Sequence, residues 1–207
     1  MRILLAAATA LTIVAVALLV LLTPLWTRPA LDLSGGSAAF VVPEQAYDVT
    51  NKTIAELFLG PGTFSYSTAP GPVVFSAEEA GHLRDVRVVL LGFLAVSVVA
   101  GVLLTVRLRS ADSTDWSAVA LGGASLAVGV VILGLVGLIA FNLAFELFHR
   151  VLFPGGNWAF DADSWLIRLY PVTFWQLSSA ALGGLALVGG GVTWWFARRR
   201  AARLQTA

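Results

Sequence analysis

Four apolar stretches, roughly 3–22, 86–106, 117–141 and 173–196, dominate the chain of 207 residues. A hydrocarbon core of about 30 Å takes about 20 helical residues to cross, and each stretch is long enough. In lipid every backbone N–H and C=O must find its partner inside the protein, so separate apolar runs of this length are helices. With 58% hydrophobic and 12% charged residues, the chain also lacks the charge that a water-soluble domain needs on its surface. The predicted fold class is an all-α membrane protein, a four-transmembrane-helix bundle forming one domain over 1–207. The first stretch follows Arg2 and could pass for a signal peptide. Its apolar run is too long for an h-region, and Thr23-Pro24-Leu25-Trp26 offers no small-residue cleavage site, so it reads as an uncleaved anchor.

The basic residues set the predicted orientation. Arg2, Arg107, Arg109, Arg198, Arg199, Arg200 and Arg203 gather on one side, while ten of the twelve acids, from Asp32 to Asp163, fall on the other. The arginine-rich side is therefore expected to be cytoplasmic, with both termini there, in a bacterial cell membrane. Trp26, Trp158, Trp165 and Trp175 mark the outer interface, and Trp116, Trp194 and Trp195 the inner one. The net charge of +1 gives no sign of a nucleic-acid partner. The absence of cysteine excludes disulfides, a thiolate nucleophile and thiolate metal sites.

Two segments then lie outside the membrane. Residues 23–81 are expected to form a small extracytoplasmic α+β cap between the first and second spans. It would hold a helix over 47–59, stopped by Gly60-Pro61-Gly62, and short strands over 64–66 and 73–75 around Pro70-Gly71-Pro72. Ser76-Ala77-Glu78-Glu79 is a capping box, so the second span should begin near Ala77. In the second segment, 142–171, the third helix runs on through Phe145 to His149 and stops at Pro154-Gly155-Gly156. A turn or two of interfacial helix follows over 163–169, and Pro171 suits the start of the fourth span. Ser97/Gly101 and Ser125/Gly129, each pair four apart, would let helices approach closely.

Only two histidines occur, His82 and His149, and this topology puts both at the outer interface. Each has a carboxylate three residues nearer the membrane, Asp85 and Glu146, on the same helix face and able to orient an imidazole. Three readings are open: histidines that snorkel to the interface, a proton-transfer pair working near neutrality, or a zinc site of two imidazoles and two carboxylates. Arg84, Arg87, Arg150 and Arg168 lie at the same level, where headgroup contact and topology are the ordinary roles of arginine. Asn157, Trp158, Gln176, Ser178 and Ser179 could line a polar cavity there. The chain contains no GxSxG elbow, HExxH, GxGxxG or P-loop motif.

Two blocks carry a family resemblance. Ser76-Ala77-Glu78-Glu79 leading into His82-Leu83-Arg84-Asp85-Val86 resembles the E…H-x-x-D-V signature of the DUF1461 integral membrane proteins. Phe148-His149, Asn157-Trp158-Ala159-Phe160, 164–171 and Phe174-Trp175 resemble the second block of that family. The activity characterised there is intramolecular transacylation of lipoproteins. One acyl chain moves from the glycerol of a diacylglyceryl-cysteine to the cysteine α-amino group, leaving a lyso-form lipoprotein. The resemblance implies that His82 and His149 are catalytic, with either as the base. Asp85, Glu146, Arg84, Arg168, Asn157 and Trp158 would support them. It also implies no cofactor and no metal, with diacylglyceryl-modified lipoproteins and membrane lipids as partners and the site at the outer leaflet. A non-enzymatic lipid- or lipoprotein-binding accessory protein and a membrane metallohydrolase are the alternatives.

The orientation is open to direct test. Reporter fusions after Arg109 and after Ala207 should both read cytoplasmic, and a fusion within 35–62 should read outside. A cytoplasmic signal from the large loop would remove the argument that places the histidines at the outer interface.

Overall fold

The computed structural model describes residues 1–67 and 74–206. Its α-helices are α1 (Arg2–Leu21), α2 (Pro24–Ser34), α3 (Pro43–Phe58), α4 (Ala77–Leu108), α5 (Ser113–Leu152), α6 (Trp165–Leu169) and α7 (Val172–Gln205), with a 3-10 turn at Gly36–Ala39. The four expected spans are α1, α4, α5 and α7, all long and apolar enough to cross a membrane. Predicted boundaries hold where local chemistry marks them. The capping box opens α4 at Ala77, Pro171 precedes α7, and α5 ends just before Pro154. The chain divides into two compact units, one of Met1–Leu19, Phe93–Ile139 and Ala180–Ala207, the other of Val20–Gly92 and Ala140–Ser179.

The first unit packs helices through small residues. A Cβ on Gly122 would lie 2.4 Å from the Ala6 carbonyl oxygen, and one on Gly123 would lie 2.5 Å from that of Gly190. Backbones this close need glycine, the usual route to helix association when lipid offers no hydrophobic driving force. Of the pairs expected from spacing, a Cβ on Gly101 would meet Thr12 Oγ1 at an ordinary 3.5 Å, while one on Gly129 would meet nothing within 4 Å. The tight contacts therefore belong to Gly122, Gly123 and Gly190 rather than to Ser125/Gly129. Val131, Leu133, Leu138 and Ile139 on α5 stay exposed, which suits side chains solvated by lipid. At the α4–α5 turn Arg107 pairs with the buried Asp115 at 2.6 Å, and Asp112 and Asp115 cap one another reciprocally. The α5 backbone kinks at Ala140 (φ −141°, ψ 42°), close to the predicted end of the third span.

The second unit buries its own core, in which Leu31, Val49, Phe64, Val74 and Leu169 are essentially inaccessible. The expected α+β cap is not what forms: among the described residues there is no strand, and the cap is helical, built on α2, the 3-10 turn and α3. Val74 N–H does donate to the Tyr66 carbonyl at 2.8 Å, and Ser67 forms a single bridge, but no strand develops among the described residues. Val73 and the Pro70-Gly71-Pro72 turn lie outside the described residues. The physical reason is Glu56, whose carboxylate takes the backbone donors that a ladder would use. Its Oε1 accepts from Thr63 N–H (2.6 Å), Thr63 Oγ1 (3.0 Å) and Phe64 N–H (2.9 Å), and its Oε2 from the Tyr66 hydroxyl. These bonds hold Phe64 in the left-handed region (φ 47°), which is uncommon for a bulky residue. Helix α2 escaped the sequence reading, since it is short, carries Pro29 inside and lacks a side-chain cap.

Burial alone would push the Glu56 carboxyl up, but the donors from Tyr66, Phe64 and Thr63 outweigh it and hold the group below the usual glutamate value. A carboxylate depressed in the fold stabilises above its unfolded pKa, and that stability is lost as pH falls through the lower folded value. Thermal unfolding of the purified protein should therefore show a melting temperature that drops on acidification below about pH 4.5. Glu56→Gln should lower stability at neutral pH by about 1–3 kcal/mol, the penalty for disturbing a buried polar network, and should flatten the acid dependence. An unchanged acid dependence in the variant would show that another group governs it.

Candidate active site

The site lies within the second unit and begins with the cap of α4. Ser76 N–H donates to Glu79 Oε2 (2.7 Å) and Glu79 N–H to Ser76 Oγ (3.2 Å), the reciprocal pattern that the sequence implies. The second oxygen does something the sequence did not disclose. Oε1 of Glu79 accepts from Leu166 N–H at 2.7 Å, so one buried carboxylate ties the start of α4 to α6. The α6 turn is closed by Ser164, whose Oγ accepts from Ile167 N–H. His82 follows one turn after this anchor on α4, and His149 lies near the end of α5.

The two imidazoles come together. Their ring centroids are 6.0 Å apart with planes inclined by 31°, and both side chains are about nine-tenths buried. Nδ1 of His149 lies 2.8 Å from the Phe145 carbonyl oxygen, four residues back on the same helix. A carbonyl only accepts, so Nδ1 carries the hydrogen and the neutral ring keeps its lone pair on Nε2. His82 Nδ1 is buried and has no hydrogen-bond partner among the described residues. Aromatic rings enclose the pair: Phe153 is 4.8 Å from His82 and 5.7 Å from His149, and Phe160 is 5.8 Å from His82. Phe145 and Trp158 lie 4.2 Å and 5.1 Å from His149. Burial of this kind strengthens any hydrogen bond formed inside it.

Of the residues expected at the site, Trp158 is part of this ring cage. Asp85 and Glu146 bond elsewhere than to the imidazoles. Asp85 Oδ2 accepts from Asn157 Nδ2 at 2.6 Å, joining α4 to the loop after α5, and Glu146 pairs with Arg150 at 2.5 Å on an exposed helix surface. Arg168 donates to the Ala39 carbonyl at 2.8 Å and stacks over Trp165, while Arg84 reaches toward the Gly62 carbonyl at 3.5 Å. Ser178 accepts from Trp26 Nε1 at 3.1 Å. Among the described residues no three His, Asp or Glu side chains converge as metal ligands. Phe145, Phe153 and Phe160 were not singled out from sequence. The spacing Phe145, His149, Phe153 puts all three on one helix face and was the available signal.

Comparison with known proteins agrees with this architecture. Over 111 residues the chain is 35% identical to an uncharacterized protein of Aquifex aeolicus (strain VF5), which covers 51% of this chain and about half, 48%, of that protein. The fold matches a solved structure of the membrane integral lipoprotein intramolecular transacylase Lit from Bacillus cereus, with a TM-score of 0.80 at 18% identity. That match covers 100% of this chain and 96% of the other. Two histidine variants of the same protein, to arginine and to alanine, match with TM-scores of 0.76 at 18% identity, covering 99% and 100% of this chain and 92% and 94% of theirs. At such identity the likeness establishes the fold, that of a membrane-integral protein. The sequence itself carries the assignment further, because residues 36–175, more than half of the chain, match the family described as lipoprotein intramolecular transacylase Lit, and the chain belongs to that family.

Proposed function

We propose that this chain is a lipoprotein intramolecular transacylase that uses His82 and His149 to move an acyl chain from the glycerol of a diacylglyceryl-cysteine to the cysteine α-amino group. Family membership supports the reaction, and the paired imidazoles, 6.0 Å apart in an aromatic enclosure, support the residues. The α-ammonium, with an ordinary pKa near 8, must lose a proton before it can attack, and an imidazole is a suitable acceptor. Nε2 of His149 is the better candidate for the base, because the Phe145 carbonyl holds the hydrogen on Nδ1. The neutral amine nitrogen then bonds to the ester carbonyl carbon and gives up a second proton, the carbon–oxygen bond to glycerol breaks, and of the two protons taken from nitrogen one ends on the departing glycerol oxygen and the other is released to water. His82 serves as the hydrogen-bond donor to the tetrahedral oxyanion or as the proton donor to that oxygen. Both reacting groups belong to one lipidated residue, so proximity supplies much of the rate.

In this reading Asp85 and Asn157 act indirectly, by holding the loop that carries Trp158 and Phe160 against α4. Arg168 keeps α6 and the 3-10 turn together through Ala39, and Arg84 and Glu146 remain at the rim. The basic ends of the chain support cytoplasmic termini and a site at the outer leaflet, where lipidated proteins and membrane lipids would be its partners.

The test is conversion of a diacylglyceryl lipopeptide to the lyso form, followed by mass spectrometry with the purified protein in vesicles. His82→Ala and His149→Ala should each lower the rate about 10²-fold or more, the usual scale for a general acid–base group. Asp85→Asn should lose less, and Glu146→Gln should stay near the wild type. Near-wild-type conversion by both alanine variants would refute the histidine mechanism. Full retention of both acyl chains on the glycerol by the wild type would refute the transacylase reading itself.

A further inference from the structure

Helix α2 presents three distinct faces. Thr27, Ala30 and Leu31 are buried in the core of the second unit. On the exposed arc, Arg28 and Asp32 are both engaged with α3: Asp32 accepts from the Tyr47 hydroxyl at 2.5 Å, and the Arg28 guanidinium lies 5.5 Å from the same ring. Leu25, Pro29 and Leu33 remain, spaced four apart and so aligned in one stripe along the helix. Leu25 is 86% exposed and Leu33 70%. A water-facing stripe of this kind is unfavourable unless something apolar covers it.

The covering phase follows from chain connection. Helix α1 has 20 residues, about 30 Å of helix, which matches the hydrocarbon thickness and leaves its C-terminal end at the membrane boundary. Three Cα steps separate Leu21 from Pro24, about 11 Å at full extension. They are drawn in further, since Thr23 N–H and Oγ1 both bond to the Val20 carbonyl. Leu19 and Val20 at the end of α1 are themselves exposed and apolar. Trp26, beside the stripe and half-buried with its Nε1 on Ser178, is the residue type that settles at the headgroup level. We infer that α2 is a membrane-surface helix, with the Leu25–Pro29–Leu33 stripe seated in the leaflet that α1 reaches at its C-terminal end. Its occupant is lipid. The inference rests on α1 as a membrane span and is independent of the reaction.

The absence of cysteine makes the test clean. Leu25→Cys, Leu33→Cys and, as an exposed control on α3, Asp48→Cys would each carry a nitroxide label in the full-length protein. The proteins would be reconstituted in phosphatidylcholine–phosphatidylglycerol vesicles. Relaxation of the label by oxygen, which concentrates in lipid, is compared with relaxation by a water-soluble nickel chelate. Labels at 25 and 33 should favour oxygen and report a depth of about 5–10 Å below the headgroups, while the label at 48 should favour the nickel complex. Equal exposure of all three positions to the nickel complex would overturn the inference. So would dipolar broadening at 25 and 33 that disappears on dilution with unlabelled protein, because the stripe would then cover a second copy of the chain.

Discussion

The carboxylate of Glu79 is the point on which the second unit depends. One oxygen closes the first turn of α4 by accepting from Ser76 N–H, and the other accepts from Leu166 N–H at the start of α6. Both bonds are charge-assisted, the Glu79 side chain is 3% accessible, and the Leu166 donor is buried with it. Losing the carboxylate would leave the buried Leu166 N–H unsatisfied, at about 1–3 kcal/mol. More important is where the anchor sits. His82 lies three residues beyond Glu79, on a helix whose start is thereby set, and α6 leads through Tyr170 and Pro171 into α7.

Around that anchor the polar groups of the cap are satisfied so fully that the histidines stand apart by contrast. Glu56 has donors on both oxygens, and Tyr170, pushed up to about 12 by burial, stays a phenol that donates to Thr50. Asp85, Arg168 and Arg87 each hold a loop or a turn in place, Arg87 through the Gly60 carbonyl at 2.8 Å. His82 Nδ1 is the exception among side chains of this unit, buried with no partner among the described residues. A buried polar atom left without a partner costs free energy, and such atoms are kept where a ligand or a transferred proton completes them. Rings surround it at 4.8 Å and 5.8 Å, leaving little protein polarity to compete with an incoming group.

Much of this was legible in the sequence because it is written in local patterns. Four spans follow from apolar length, the start of α4 from Ser76 and Glu79, the end of α5 from Pro154 and Gly155, and the pairing of His82 with His149 from a shared side of the membrane. What stayed hidden depends on partners distant in the chain. Phe64 and Tyr66 have strand-like composition, yet a carboxylate on α3 consumes the donors that a strand needs, and no local pattern announces Glu56 as that acceptor. Likewise i, i+3 spacing put Asp85 and Glu146 beside the histidines. Their hydrogen-bond and ion-pair partners, Asn157 at 72 residues' distance in the chain and Arg150, are not announced by that spacing. The resemblance drawn from the two motif blocks supplied the family, which spacing alone left open among three chemistries.

The economy of the site fits the chemistry proposed for it. An intermolecular acyl transfer must bind two substrates, and the entropy of bringing them together is a large part of the barrier. When amine and ester belong to the same lipidated residue that entropy is already spent, and well-oriented intramolecular reactions gain about 7–11 kcal/mol from this alone. The protein then has two remaining tasks, taking a proton from nitrogen and returning one to oxygen while it holds water away. Hydrolysis is the competing outcome, since water would take the same acyl group. The rings of Phe145, Phe153, Trp158 and Phe160 are suited to excluding it. One imidazole with a hydrogen held on Nδ1 and a second with an uncommitted Nδ1 is a sufficient set of groups for moving that proton. Further acids would add negative charge that discourages the developing oxyanion. Asp85 is occupied by Asn157 and Glu146 by Arg150.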